Sequence, residues 1–156
     1  AELGVRTIRD LAARSRGLTI GGDLEFFSRP EWPAVRDAYG LDFASRREFQ
    51  STFMYQAVTG GEVDVITAFS SDGRVAADDL LVLDDPEGAM LPYDAVVLVA
   101  ARRANDPLLR RALLPLIGAI PVELMREANY RVDRDDDKQS AAAAARWLEE
   151  QLGPRR

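Results

Sequence analysis

The sequence contains no cysteine and no histidine in its 156 residues. That excludes thiol nucleophiles, serine–histidine–aspartate machinery, zinc sites built from nitrogen and sulfur, and structural disulfides. It does not fix the compartment, because a cysteine-free chain folds equally well in oxidising and reducing surroundings. Lysine occurs once, at Lys138, in a charged stretch, so carboxylates are nearly all that remains for proton chemistry. No segment approaches the roughly 20 apolar residues that a membrane-spanning helix needs. The opening Ala1-Glu2-Leu3-Gly4 reads as neither a signal peptide nor a lipid-attachment site, so an export signal would be removed or lie upstream.

Positive charge is also in short supply. Against 26 acidic residues stand 20 basic ones, a net charge of −6 and an isoelectric point near 4.8. Such a surface holds no nucleic acid and is repelled by anionic membranes. What is present is ordinary for a soluble domain, with 47% apolar and 29% charged residues. The length suffices for one domain with a real hydrophobic core.

Along the chain, Thr7 and Asp10 form a capping-box-like pair before a helix with Ile8, Leu11 and Ala12 on its apolar face, and Gly17 stops it. Leu18-Thr19-Ile20 reads as a strand entering a flexible corner at Gly21-Gly22. Residues 30–33 turn into a short helix that runs to Tyr39 and closes at Gly40. Leu41–Phe43 reads as another brief strand, and Arg47–Val58 as a helix. Val63–Phe69, Leu80–Leu83 and Ala95–Val99 have the apolar continuity of buried strands. Helices follow at Pro107–Ile117, Pro121–Asn129 and Lys138–Leu152. The alternation over the first 100 residues implies an α/β layer with a mainly parallel sheet. The three closing helices have little sheet of their own to cover.

Four features could carry chemistry. Adjacent acids recur at Asp78-Asp79, Asp84-Asp85 and Asp135–Asp137, but acid–base catalysis needs carboxyls converging from separate elements. Loop neighbours diverge and stay solvated. Gly21-Gly22 and Gly60-Gly61 lack the lysine and spacing of a phosphate cradle, and read as turns. Phe26, Phe27, Trp32, Phe69 and Tyr93 fall at or beyond predicted strand ends, where open α/β sheets bind ligands. Aromatic faces there attract a cation that has no hydrogen to donate; for any one ring, core packing is the plainer account. Arg29 lies beside this group and could fork onto a ligand carboxylate, although a surface arginine is the simpler reading.

Three stretches, taken in order, add to this. Met54–Val65 runs into Ala68-Phe69-Ser70-Ser71-Asp72-Gly73-Arg74; Leu83-Asp84-Asp85 leads to Leu91-Pro92-Tyr93-Asp94-Ala95; Ile120–Met125 precedes Ala128–Asp133. The series resembles the glycine betaine/choline/carnitine-binding proteins of osmoprotectant ABC importers, over nearly the whole chain from about residue 5 to 152. The resemblance implies a periplasmic-binding-protein-like type II α/β fold, closing over ligand at a hinge of two strands. It implies that residues 1–92 form most of lobe two, 93–100 the returning hinge strand and 101–156 the C-terminal helices of lobe one.

The resemblance further implies a quaternary-ammonium ligand held in an aromatic cage, a membrane permease as partner, an extracytoplasmic location and no cofactor. Two cage positions fall on Phe69 and Tyr93. Arg29, in Glu25-Phe26-Phe27-Ser28-Arg29, matches the family's arginine. Phe69 stands where tyrosine is frequent, and the segment after Arg29 is shortened to Pro30-Glu31-Trp32. A different cationic or zwitterionic solute, or a lone lobe that self-associates as an interaction module, remain as alternatives; an enzyme has almost no residues to work with.

Overall fold

In a computed structural model that describes residues 4–153, the first helix begins as its sequence requires. Thr7 Oγ1 accepts the Asp10 amide at 3.1 Å and Asp10 Oδ2 accepts the Thr7 amide at 3.0 Å, closing a capping box on α1 (Ile8–Ala12). These bonds, with one from the Arg6 amide, hold the Asp10 carboxyl below its ordinary value. A 3-10 turn at Ser15–Gly17 follows. Of the opening tetrapeptide, the first three residues lie outside the described residues, as do residues 154–156.

The chain divides into two units. The first runs to Ser70 and resumes at Asp78–Pro92; the second comprises Ser71–Ala77 and the chain from Tyr93 onward. The first unit is built on a three-stranded, all-parallel sheet in the order β2-β1-β3, the parallel α/β layer expected. β1 (Thr19–Asp23) pairs with β2 (Ser45–Phe49), Thr19 opposite Ser45 and Asp23 opposite Phe49. β3 is only Val65–Ile66. Its register is pinned where the Thr67 amide bonds Gly21 O at 3.1 Å and the Thr19 amide bonds Asp64 Oδ2 at 2.8 Å.

Two expectations fail here. Gly21-Gly22 is not a corner but the middle of β1, and the reason is space. A Cβ on Gly21 would sit 3.1 Å from the Phe49 ring, and one on Gly22 would sit 3.0 Å from the Phe27 ring. The second strand is at Ser45–Phe49 rather than Leu41–Phe43, taking residues assigned to the following helix. That helix, α3, is Ser51–Thr59.

Helix α2 (Glu31–Tyr39) ends as foreseen at Gly40, whose φ of +65° lets the chain turn left-handed. It buries Trp32 and Val35 in a core with Ile20, Phe26 and Leu41, against which Phe27, Tyr39, Phe43 and Ala89 pack. The Trp32 ring lies 5.3 Å from Phe27, edge against face, and 6.0 Å from Phe26, tilted at 57°.

The second unit is helical: α4 (Gly73–Ala77), α5 (Pro107–Leu113), α6 (Val122–Asp133) and α7 (Ala141–Leu152). Asp106 caps α5 by accepting the Leu108 and Leu109 amides at 3.0 and 3.1 Å, and Pro107 needs no amide partner there. Ser140 caps α7, so the alanine run begins the helix at Ala141, three residues later than Lys138. α4 seats on α6: Gly73 lies so close that an added Cβ would be 2.5 Å from the Asn129 and Tyr130 backbone. Asn129 Nδ2 donates to Ser71 O at 2.8 Å, and the Arg131 guanidinium lies 4.0 Å over the Trp147 ring, joining α6 to α7.

The strands expected at Leu80–Leu83 and Ala95–Val99 carry no ladder among the described residues. Val96, Val97 and Leu98 are 72, 60 and 90% exposed. Strand-forming composition produces a strand only where a neighbouring edge takes the backbone hydrogen bonds, and none is paired with these segments.

Candidate ligand-binding site

The carboxyl ends of the parallel strands are Asp23, Phe49 and Ile66. At the first, Asp23 Oδ1 accepts the amides of Glu25 at 2.8 Å and Phe26 at 2.9 Å, folding the chain into a 3-10 turn at Phe26–Ser28. Arg29 closes that turn and pairs with Glu25. Phe69 comes three residues beyond the end of β3. Both follow strand termini at the edge where ligands meet α/β sheets. Tyr93 belongs to the second unit, as its first residue after the chain leaves Pro92.

The aromatic residues separate into two kinds that the sequence alone could not tell apart. Phe26 and Trp32 are core, 9 and 4% exposed. Phe69 and Tyr93 are 52 and 58% exposed. The buried cluster already has a cation of its own, the Arg46 guanidinium, 5.7 Å from the Phe27 centroid and 5.8 Å from that of Trp32. An open hollow of about 500 Å³ beside it is lined by Phe27, Ser28, Arg46 and Glu48. With a resident arginine on those ring faces, a ligand cation gains little there. Arg46 was not foreseen, because nothing in its local pattern marks which face of a strand it takes.

The paired acids also separate. Asp84 makes backbone bonds with the α1 end of the chain, its amide to Arg6 O at 3.0 Å and its carbonyl to the Ile8 amide at 2.9 Å. Asp135 pairs with Arg74 at 3.3 Å, while Asp137 offers its backbone carbonyl to Arg134. Asp85 differs. Its carboxylate accepts the Tyr39 hydroxyl, the Ala89 amide at 3.1 Å and the Met90 amide at 2.7 Å. Burial pushes the Asp85 carboxyl up, but these donors outweigh it and leave the group below its ordinary value. Burial, and then the Asp85 bond and charge, push the Tyr39 hydroxyl up to about 12. Among the described residues, no group of three or more acids could hold a metal ion.

Residues 1–150 match the family described as the substrate binding domain of ABC-type glycine betaine transport systems, and the chain belongs to that family. It is 29% identical to the carnitine transport binding protein OpuCC of Listeria monocytogenes over 83% of this chain and 43% of that protein. It is 26% identical to the ergothioneine transport permease/ergothioneine binding protein EgtU of Helicobacter pylori, over 83% of this chain and 24% of that one. A crystal structure of a glycine betaine/carnitine/choline ABC transporter superposes with a TM-score of 0.76 at 31% identity, covering 96% of this chain and 56% of that one. The chain thus spans less than half the length of the curated relatives it matches.

Proposed function

We propose that the chain is part of the solute-binding component of an ABC importer, and that its solute is a quaternary-ammonium compatible solute: glycine betaine, choline or carnitine. The observation that carries this is the division of the aromatic residues. Phe69 and Tyr93 are exposed, while Phe26 and Trp32 are buried. A trimethylammonium group has no N–H, so its recognition rests on ring faces and on the exclusion of water. Arg29 would exchange its Glu25 partner for the carboxylate of a betaine or carnitine. On this reading residues 1–92 contribute most of one lobe, 93–100 a hinge segment and 101–156 helices of the other. The component works outside the cytoplasm and delivers to a membrane permease; no helix among the described residues is long and apolar enough to cross a membrane. Its role is capture rather than catalysis.

A second reading, favoured by the ergothioneine-binding relative, is a betaine carrying a heterocycle. Self-association of the chain is a third, favoured by the exposed run Val96–Leu98.

Cation–π contacts contribute about 0.5–2 kcal/mol each, whereas micromolar affinity requires about 8 kcal/mol. Two rings and one arginine fall short. Calorimetric titration with choline, glycine betaine, carnitine and a primary-amine control is therefore expected to give micromolar binding only in a protein carrying both lobes. There, Phe69→Ala or Tyr93→Ala should weaken binding by about 2- to 30-fold. Micromolar affinity in this chain alone would show that these groups suffice and overturn that expectation. An absence of binding to every quaternary amine would move the function to another solute.

A further inference from the structure

The sheet of the first unit has two edges, and they are unlike. β3 is two residues long, whereas β2 is a five-residue strand with β1 on one side and, among the described residues, no strand on the other. Which backbone groups face that open side follows from the far side of the sheet. The Asp64 and Thr67 amides donate to the Thr19 and Gly21 carbonyls at 2.9 and 3.1 Å, so Thr19 and Gly21 face β3. Ile20 and Gly22 alternate with them and face β2, where a parallel ladder engages the residues flanking their register partners, Arg46 and Glu48. The amides and carbonyls of Arg46 and Glu48 themselves are therefore turned to the open edge.

The two side chains share a face of the strand, two positions apart. The Arg46 guanidinium rests on the Phe27 and Trp32 rings, and among the described residues neither it nor the Glu48 carboxylate has an ion-pair partner. Beside them is the open hollow that Phe27 and Ser28 complete. Exposed edges are often protected by charge of one sign, which repels an incoming strand. Here the signs alternate. Brought up antiparallel about Arg47, a second β2 sets Arg46 opposite Glu48 and Glu48 opposite Arg46. These are also the residues whose backbone is turned outward, so each such pair can exchange two backbone hydrogen bonds. The like pair in this register, Arg47 opposite Arg47, falls on the other face, where each guanidinium already has its Glu62 carboxylate at 3.1 Å.

We infer that β2 is an interface for a second copy of this chain, which pairs with it antiparallel about a two-fold axis at Arg47 and joins two three-stranded sheets into one. The inference does not depend on which solute the chain captures, and it places self-association on a surface other than Val96–Leu98. Two opposed five-residue strands bury little area, so the association is expected to be modest and concentration-dependent.

Sedimentation velocity on this chain, from micromolar to millimolar concentration, should show the 17.2 kDa species passing into one of twice that mass. Glu48→Arg sets two like pairs across the axis and should weaken association about tenfold. It does so against the general trend, because it reduces a net charge of −6 and with it the repulsion between copies. Arg46→Glu should behave alike. The two variants mixed should associate with each other, and the double variant Arg46→Glu/Glu48→Arg should associate as the native chain does, since both arrangements restore opposite charges. Circular dichroism would establish that each variant folds. Arg46→Glu gives up its ring contacts; if it does not fold, Glu48→Arg compared with Glu149→Arg, the same charge change away from β2, carries the test. A chain that stays monomeric at millimolar concentration would overturn the inference, as would single variants that fold but do not associate when mixed. A dimer that Glu48→Arg leaves intact would also overturn it, and would move the association to another surface such as Val96–Leu98.

Discussion

The two units bury their apolar residues very differently. In the first, Leu11, Ile20, Phe26, Trp32, Val35, Leu41, Met54 and Val63 are buried between a parallel sheet and its helices. In the second, among the described residues, Val75, Ala128, Ala144 and Leu148 alone reach that state, while Leu98, Leu108, Leu114 and Ile117 are 68–90% exposed. Both contain helices with a side-chain N-cap, α1 in the first and α5 and α7 in the second, so capping is not what separates them. The first unit has a two-dimensional surface on which helices can lay a face; the second has helices alone, and an amphipathic helix without a layer to cover contributes little. The second unit is expected to be the weaker partner whenever this chain stands by itself.

One substitution that breaks the comparison is Trp32→Ala. It removes the ring that contacts Phe26, Phe27 and Phe43, and large aromatic truncations in cores cost about 3–5 kcal/mol. The chain has two tryptophans, one in each unit, so the variant leaves Trp147 as the sole tryptophan. Loss of sheet and helix signal in circular dichroism is expected at lower denaturant than in the native chain. Trp32→Phe should cost less, because the Trp32 Nε1 is buried without a hydrogen-bond partner and nothing is lost with it. If the two variants are equally damaging, the aromatic cluster is not what holds the first unit together.

The matching probe of the second unit is Gly73→Ala. A Cβ there would meet the α6 backbone at 2.5 Å, a contact that only movement of α4 or α6 relieves. Overpacking of this kind costs about 1–3 kcal/mol. Trp147 fluorescence, reporting α7 on α6, should show an earlier transition while Trp32 keeps its native one. A shift in Trp32 as large as in Trp147 would mean that the units do not respond separately.

Much of this was legible in the residues, and what was not has a physical cause. The cap at Thr7–Asp10, the stop at Gly40 and the proline at the start of α5 are local, decided within a turn of chain, and they could be read directly. Gly21-Gly22 could not, since what demands glycine is the approach of Phe27 and Phe49 from elsewhere in the sequence. Ala95–Val99 has strand composition but no paired edge, and composition says nothing about the neighbour. The likeness of the motifs to solute-binding proteins pointed to Phe69, Tyr93 and Arg29, but could not separate those rings from core aromatics such as Trp32. The Tyr39–Asp85 hydrogen bond was invisible for the same reason as the glycines: it joins residues that only the fold brings together.

The smallest expected effects concern pH, and the alkaline one falls on one unit only. Asp85 in the first unit and Asp106 in the second are both held below the ordinary carboxyl value of 3.8. Each contributes stability that is present above that value and is lost as the pH falls through the lower folded one, so acid should weaken both units. Alkali should not act so evenly. Tyr39 is raised from 10.0 to about 12 by burial and by Asp85, with Arg9 opposing the shift. A neutral phenol favoured by folding contributes fully below pH 10, and that contribution fades as the pH rises toward 12. Denaturation followed through Trp32 should therefore lose midpoint over this window, and Tyr39→Phe should remove that dependence while starting from a lower midpoint at neutral pH. An unchanged alkaline slope in Tyr39→Phe would assign the loss to another group, and would leave the first unit distinguished from the second by its sheet and not by its Tyr39–Asp85 bond.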